Sequence, residues 1–170
     1  EWIRRPELMD RPVLAGQQAT SNLANVMVLA SLAIELLQVR EDPRFRQVIR
    51  EAMQGVVQHY DPQRRILVEN VPVAGAPSMQ DWPEGRLFNP GHSIEVAWFL
   101  LHMLELEPDP NLQKLALDAL EGSLQFGWDQ EYGGLYYFMD IEGKPTLQLE
   151  SSMKLWWPHT EAIYALVLAY

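Results

Sequence analysis

The chain has 170 residues, 48% of them hydrophobic, a formal charge of −10 and no cysteine. That size and apolar content suit one domain with a packed core and argue against disorder. The acidic balance argues against a nucleic-acid phosphate backbone as partner, and the missing cysteines exclude disulfides and thiolate metal sites.

The first residues, Glu1-Trp2-Ile3-Arg4-Arg5-Pro6, lack the apolar centre of a signal peptide. Residues 22–38 are apolar nearly all round, which predicts a helix buried on every side. The longest apolar run, Val26 to Leu37, is broken by Ser31 and Glu35 and is too short to span a bilayer. A cytoplasmic protein without membrane contact is therefore expected. Segment 43–60 places Phe45, Val48, Ile49, Ala52, Met53, Val56, Val57 and Tyr60 on one stripe, with Arg44, Arg46, Arg50 and Glu51 off it, and so predicts a helix with one wet face. Residues 59–71 carry turn chemistry at Asp61-Pro62 and a β-branched run after it, which predicts a hairpin.

The second half repeats this order. Residues 93–106 are again apolar all round, 110–125 are amphipathic, 128–149 combine Gly133-Gly134 and Glu142-Gly143 turns with aromatic runs, and 160–170 are apolar. Helix starts near 22, 91 and 158 give spacings of about 69 and 67 residues. Alternating buried and amphipathic helices at a fixed period predict an α/α toroid of inner and outer helices. Five helices cannot close such a ring. The chain also begins without methionine and stops inside an apolar helical pattern, so 1–170 is expected to be a single, incomplete domain cut from a longer protein.

Two helix starts carry the chemistry. Asn89 is a good N-cap and Pro90 a good first helical residue, which puts His92 and Glu95 on one face of the opening turns. Pro158 opens the last helix in the same way, with His159 and Glu161 just inside. If the inner helices run parallel, His92, Glu95, His159, Glu161 and the region of Asn25 and Met27 gather at one end. An imidazole that titrates near neutrality, a carboxylate beside it and the positive ends of helices together suit proton transfer. A carboxylate-based glycosidase and a metal site fit the same residue types, the metal least, because no histidines pair at i, i+4. Against this, a single histidine in such a place is more often a cap or a core residue, and a first-turn glutamate is ordinary dipole compensation. Trp156 and Trp157 are as ordinary in a core as in a sugar platform. His59 and His102 are assigned to structure.

At these residues the chain resembles the N-acylglucosamine 2-epimerase family. The resemblance rests on Asn89-Pro-Gly-His-Ser-Ile-Glu-Val-Ala-Trp-Phe-Leu-Leu101, on Gln148-Leu-Glu-Ser-Ser-Met-Lys-Leu-Trp-Trp-Pro-His-Thr-Glu-Ala162, and on Gly127-Trp-Asp-Gln-Glu-Tyr-Gly-Gly-Leu-Tyr-Tyr-Phe138. It implies an all-α (α/α)6 barrel, of which this chain is the central part, and interconversion of N-acetylglucosamine and N-acetylmannosamine. In that chemistry the sugar ring opens, a base removes the C2 proton, and a proton returns on the other face. His92 matches one of the family's two acid/base histidines, Glu161 its active-site glutamate, and Glu95 the carboxylate one turn after the histidine. His159, Trp157, Asn25 and Met27 are expected on the substrate side. The second histidine and an active-site arginine match positions beyond Tyr170 and before Glu1, which implies a chain inactive alone. A related branch of cellobiose 2-epimerases and mannose isomerases carries a histidine where Met27 stands and lacks Pro158-His159, so the resemblance favours the acylglucosamine branch. The partner implied is a small amino sugar. No cofactor or metal is implied; activation by ATP, known in some members, has no Gly-rich loop to carry it here, and a homodimer stays open.

Overall fold

The computed structural model describes residues 18–73 and 76–170. The N-terminal stretch read for a signal peptide lies outside them. Five helices carry the architecture: α1 (Leu23–Val39), α2 (Pro43–Gln58), α3 (Pro90–Leu106), α4 (Pro110–Gly127) and α5 (Trp156–Ala169). α3 packs against both α1 and α5, while α2 backs α1 and α4 backs α3. This is the expected alternation of inner and outer helices. The outer helices begin on capped prolines: Asp42 accepts from the Arg44 N–H ahead of α2, and Asp109 accepts from the Asn111 and Leu112 N–H groups ahead of α4. α2 buries Ile49, Ala52, Met53 and Val56, four members of its predicted stripe.

Burial on every side is found for α3 but not for its inner neighbours. Ile94, Val96, Ala97 and Leu100 of α3 are wholly buried. α1 leaves Val28, Leu32, Leu36 and Val39 exposed, and α5 leaves Ile163, Leu166 and Val167 exposed. A helix of all-round apolar pattern is enclosed only where it has neighbours on both flanks, and within the described residues α3 alone has them.

The loops also depart in part from expectation. In the first, β2 (Tyr60–Asp61) and β3 (Ile66–Leu67) form the predicted antiparallel hairpin. Its turn is held by the Asp61 carboxylate, which accepts from the Gln63 and Arg64 N–H groups. The strand after it, β4 (Asn70–Pro72), pairs with β1 (Thr20–Asn22) ahead of α1. The second loop makes no hairpin of its own. Apart from a bridge between Trp128 and Leu135, its strand β6 (Met139–Asp140) crosses to β5 (Leu87–Phe88), just before α3. A buried ion pair at 3.0 Å, Arg86 Nε to Asp140 Oδ2, fixes that crossing. Such a pair has no local sequence signal, since its members stand 54 positions apart.

Residues 66–70 thread between the starts of α1 and α3 and are tied to both. The Leu67 N–H donates to Ser93 Oγ at 3.0 Å, and Ser123 Oγ donates to the same hydroxyl, joining the strand to α3 and α4. The Glu69 N–H donates to Leu87 O, and Glu69 O accepts from the Leu23 N–H, each at 2.9 Å. The first orphan donor of α1 is thus satisfied by this segment instead of by a capping side chain. His59, wholly buried at the end of α2, donates from Nδ1 to Val68 O at 2.8 Å and accepts from Ser21 Oγ at Nε2. Burial lowers its pKa despite the Val68 bond and the charge of Glu69, so it is a neutral clamp, in keeping with the structural role assigned to it.

Candidate active site

Asn89 caps α3 as its sequence predicts, with Oδ1 accepting from the His92 N–H at 3.1 Å. That cap sets the helix register and fixes where the His92 ring leaves the backbone. The Nδ1 atom of His92 lies 2.9 Å from Glu69 Oε1. An ionised carboxylate only accepts, so Nδ1 carries the proton and Nε2 is the nitrogen that can take or give one. Glu69 is 5% exposed, and the imidazole retains about a quarter of its exposure. The other face of His92 lies against Trp157, with ring centroids 5.4 Å apart at 37°. Gly91 makes this approach possible: a Cβ there would stand 2.5 Å from the Trp157 ring. The starts of α1, α3 and α5 therefore meet around Glu69 and His92, which is the convergence expected from the repeat.

Electrostatics make His92 a stronger base than a free imidazole. Burial lowers its pKa, but the Glu69 hydrogen bond and charge, with the charge of Glu95, outweigh that and leave the value raised. One turn on, Glu95 is shifted the other way for a carboxylate: burial and then the charge of Glu161 raise its pKa, against the charge of His92. Glu161 is anchored by the Trp98 indole, which donates to Oε2 at 2.8 Å. Farther along α3, His102 shares a hydrogen bond with the Tyr164 hydroxyl at 2.9 Å. His92, Glu95, Trp98 and His102 recur in steps of three and four, a polar and aromatic stripe that faces α5. A proton acceptor, two carboxyls of unlike environment and an aromatic wall lie together at its upper end.

Other expected site residues sit differently. α5 starts at Trp156, two residues earlier than predicted, because a proline is tolerated anywhere in the first turn, where backbone N–H groups have no helical partner. His159 consequently lies a full turn inside α5. Its Nε2 accepts from the Leu135 N–H at 2.9 Å and its Nδ1 donates to Leu155 O at 2.6 Å, so both ring nitrogens are engaged by backbone. Met27 is 7% exposed within the apolar core. Asn25 is half-buried in the first turn of α1. Two residues escaped the sequence reading, Glu69 and Trp98. A glutamate directly after Ile66-Leu67-Val68 was the available signal, since a carboxylate inside an apolar run needs a partner when buried.

A groove of about 830 Å³ borders the 66–70 segment, lined by Val68 and Asn70 but not by Glu69. It contains none of the His92 cluster. Among the described residues no three His, Asp or Glu side chains converge as a metal set.

The family model of N-acylglucosamine 2-epimerase (GlcNAc 2-epimerase) matches residues 13–170. The chain belongs to this family. It is 37% identical over 175 residues to the rat N-acylglucosamine 2-epimerase, covering 99% of this chain and 41% of that protein. To the human N-acylglucosamine 2-epimerase it is 34% identical, covering 99% of this chain and 40% of that protein. The chain thus spans about two fifths of the length of these relatives. Among solved structures, a D-mannose isomerase superposes with a TM-score of 0.70 at 17% identity, over 92% of this chain and 41% of the other. A cellobiose 2-epimerase from Bacillus thermoamylovorans gives 0.70 at 18% identity, over 88% and 36%. At such identities the likeness concerns the fold, which is part of an (α/α)6 barrel.

Proposed function

We propose that the full-length protein is a sugar 2-epimerase acting on 2-acylamino sugars of the N-acetylglucosamine and N-acetylmannosamine type. One observation carries the reading: at the joined starts of α1, α3 and α5, Glu69 holds Nδ1 of His92, and no described residue bonds its Nε2. In the opened sugar the C1 carbonyl acidifies C2. His92 Nε2 takes the C2 proton, the C–H electron pair forms the C1=C2 bond, and the carbonyl oxygen becomes an oxyanion. Helix N-termini lend positive potential where that charge develops. Glu95, whose pKa is raised by burial and by the charge of Glu161, suits donation to a sugar oxygen during ring opening. Trp157, stacked beside His92, offers an apolar wall for the sugar face. Return of the proton to the opposite face completes the inversion and needs a second donor across the ring. The sequence relatives are acylglucosamine epimerases, which favours this reading over the mannose isomerase alternative.

The test is proton exchange at C2. In deuterated water the full-length protein should replace the C2 hydrogen of N-acetylmannosamine, and His92→Gln should slow that exchange on the order of 10³-fold. Wild-type exchange in H92Q would remove His92 from the mechanism, and a ketose product would replace the epimerase reading with an isomerase one.

A further inference from the structure

We infer that Glu69 is the positioning residue of His92: its carboxylate fixes the ring in the Nδ1–H form with Nε2 left for substrate, and it balances the imidazolium once the ring has taken a proton. This rests on the reading of His92 as an acid/base. Three independent observations support it. The contact is short, with Glu69 Oε1 2.9 Å from Nδ1, and the carboxylate is nearly sealed, its side chain 6% exposed. A sealed carboxylate requires compensation, and among the described residues the only cation paired with it is His92.

The second observation is how the carboxylate is aimed. Residue 69 has both backbone groups engaged, its N–H by Leu87 O and its carbonyl by the Leu23 N–H. Asn22 Nδ2 adds a bond to the same carbonyl at 3.4 Å. Two residues earlier, Leu67 is bonded to Ser93, the neighbour of His92 in sequence. The carboxylate is therefore delivered from a segment fixed to the helix that carries its target, and a shift of one would drag the other.

The third is the contrast with His59 and His159. Their Nδ1 atoms face backbone carbonyls, and their other nitrogens accept from Ser21 and from Leu135. A protonated ring in either place would lose its second bond. Among the described residues, only His92 couples a carboxylate acceptor at one nitrogen to a second nitrogen without a bonded partner, the arrangement in which a ring gains and releases a proton with little rearrangement.

The experiment uses Glu69→Gln in the full-length protein, because glutamine keeps the size and an acceptor oxygen but not the charge. The expected result is a kcat lower on the order of 10²-fold, KM little changed, and the acid limb of the kcat/KM pH profile moved to lower pH. Side-chain NMR should show His92 titrating at lower pH in E69Q than in wild type, a readout independent of turnover. Glu69→Asp, which keeps the charge, should recover the wild-type acid limb; it also serves where E69Q folds poorly. An unmoved His92 titration and an unmoved pH profile in E69Q would overturn the proposal. A moved titration in a protein whose wild type exchanges no C2 proton would uphold the positioning role and overturn the epimerase reading.

Discussion

The starts of α3 and α5 are near copies in residue type, yet the structure gives their histidines opposite settings. Both follow a proline closely, both lie in the opening turns of inner helices and both are half-buried. His92 meets a carboxylate and keeps a nitrogen in reserve, whereas His159 is closed at both nitrogens by backbone. The difference is made by the segment that crosses each ring. The segment 66–70 bends at Glu69, is bonded to the starts of α1 and α3, and presents the Glu69 side chain to His92. The loop at 134–135 comes so close that it presents its backbone: Gly134 has φ +82, and a Cβ there would stand 3.0 Å from His159 Nε2. Position on a helix sets where a histidine points, and the crossing segment sets which partners its nitrogens meet.

The strongest way to break this comparison is His159→Leu. It leaves the Leu135 N–H and the Leu155 carbonyl without their partner, and it should destabilise the protein by about 3 kcal/mol, read as a lower denaturant midpoint at unchanged slope. KM for sugar should stay within about twofold of wild type, a change worth under 1 kcal/mol. A variant of wild-type stability with a greatly raised KM would put His159 in the sugar site and undo the contrast. Next in size is Gly91→Ala, which sharpens it. The new methyl meets the Trp157 ring at 2.5 Å and Pro158 Cβ at 3.0 Å, so the starts of α3 and α5 must part. About 2 kcal/mol of stability should be lost, with the Trp157 fluorescence changed, because that ring is the movable partner. Unchanged stability and emission would mean that the two helix starts are not in contact.

The helical frame was largely legible because its cause is local. The 3.6-residue periodicity, the Asp42, Asn89 and Asp109 caps and the following prolines each act within a turn, and the helices fell where they direct. His92, Glu95 and Glu161 were legible as candidates for the same reason. What stayed hidden acts across the chain. The pairing of β6 with β5 depends on Arg86 and Asp140, and the setting of His92 depends on Glu69, 23 residues before it. The exposed faces of α1 and α5 were missed because an apolar pattern states what a helix can bury, not which neighbours it has. Trp98 read as core, and its indole proton on Glu161 follows only from the packing of α3 against α5.

The smallest expected effect is a pH dependence, and it bears on the carboxylate that only one of the two histidines meets. The folded pKa of His92 lies above the ordinary 6.5. Its contribution to stability is therefore fully present below pH 6.5 and is lost as pH rises through the folded value. Glu95, also raised, acts in the same direction starting from its ordinary 4.5, but it is present in both proteins compared. Denaturant unfolding at pH 5.5 and pH 8 should thus show wild type losing stability relative to His92→Gln across that rise. Glu69→Gln should flatten the wild-type loss, since the Glu69 hydrogen bond and charge oppose the burial that would otherwise lower the value. If wild type instead gained on H92Q between these pH values, burial would dominate over Glu69, and His92 would be a neutral clamp like His59.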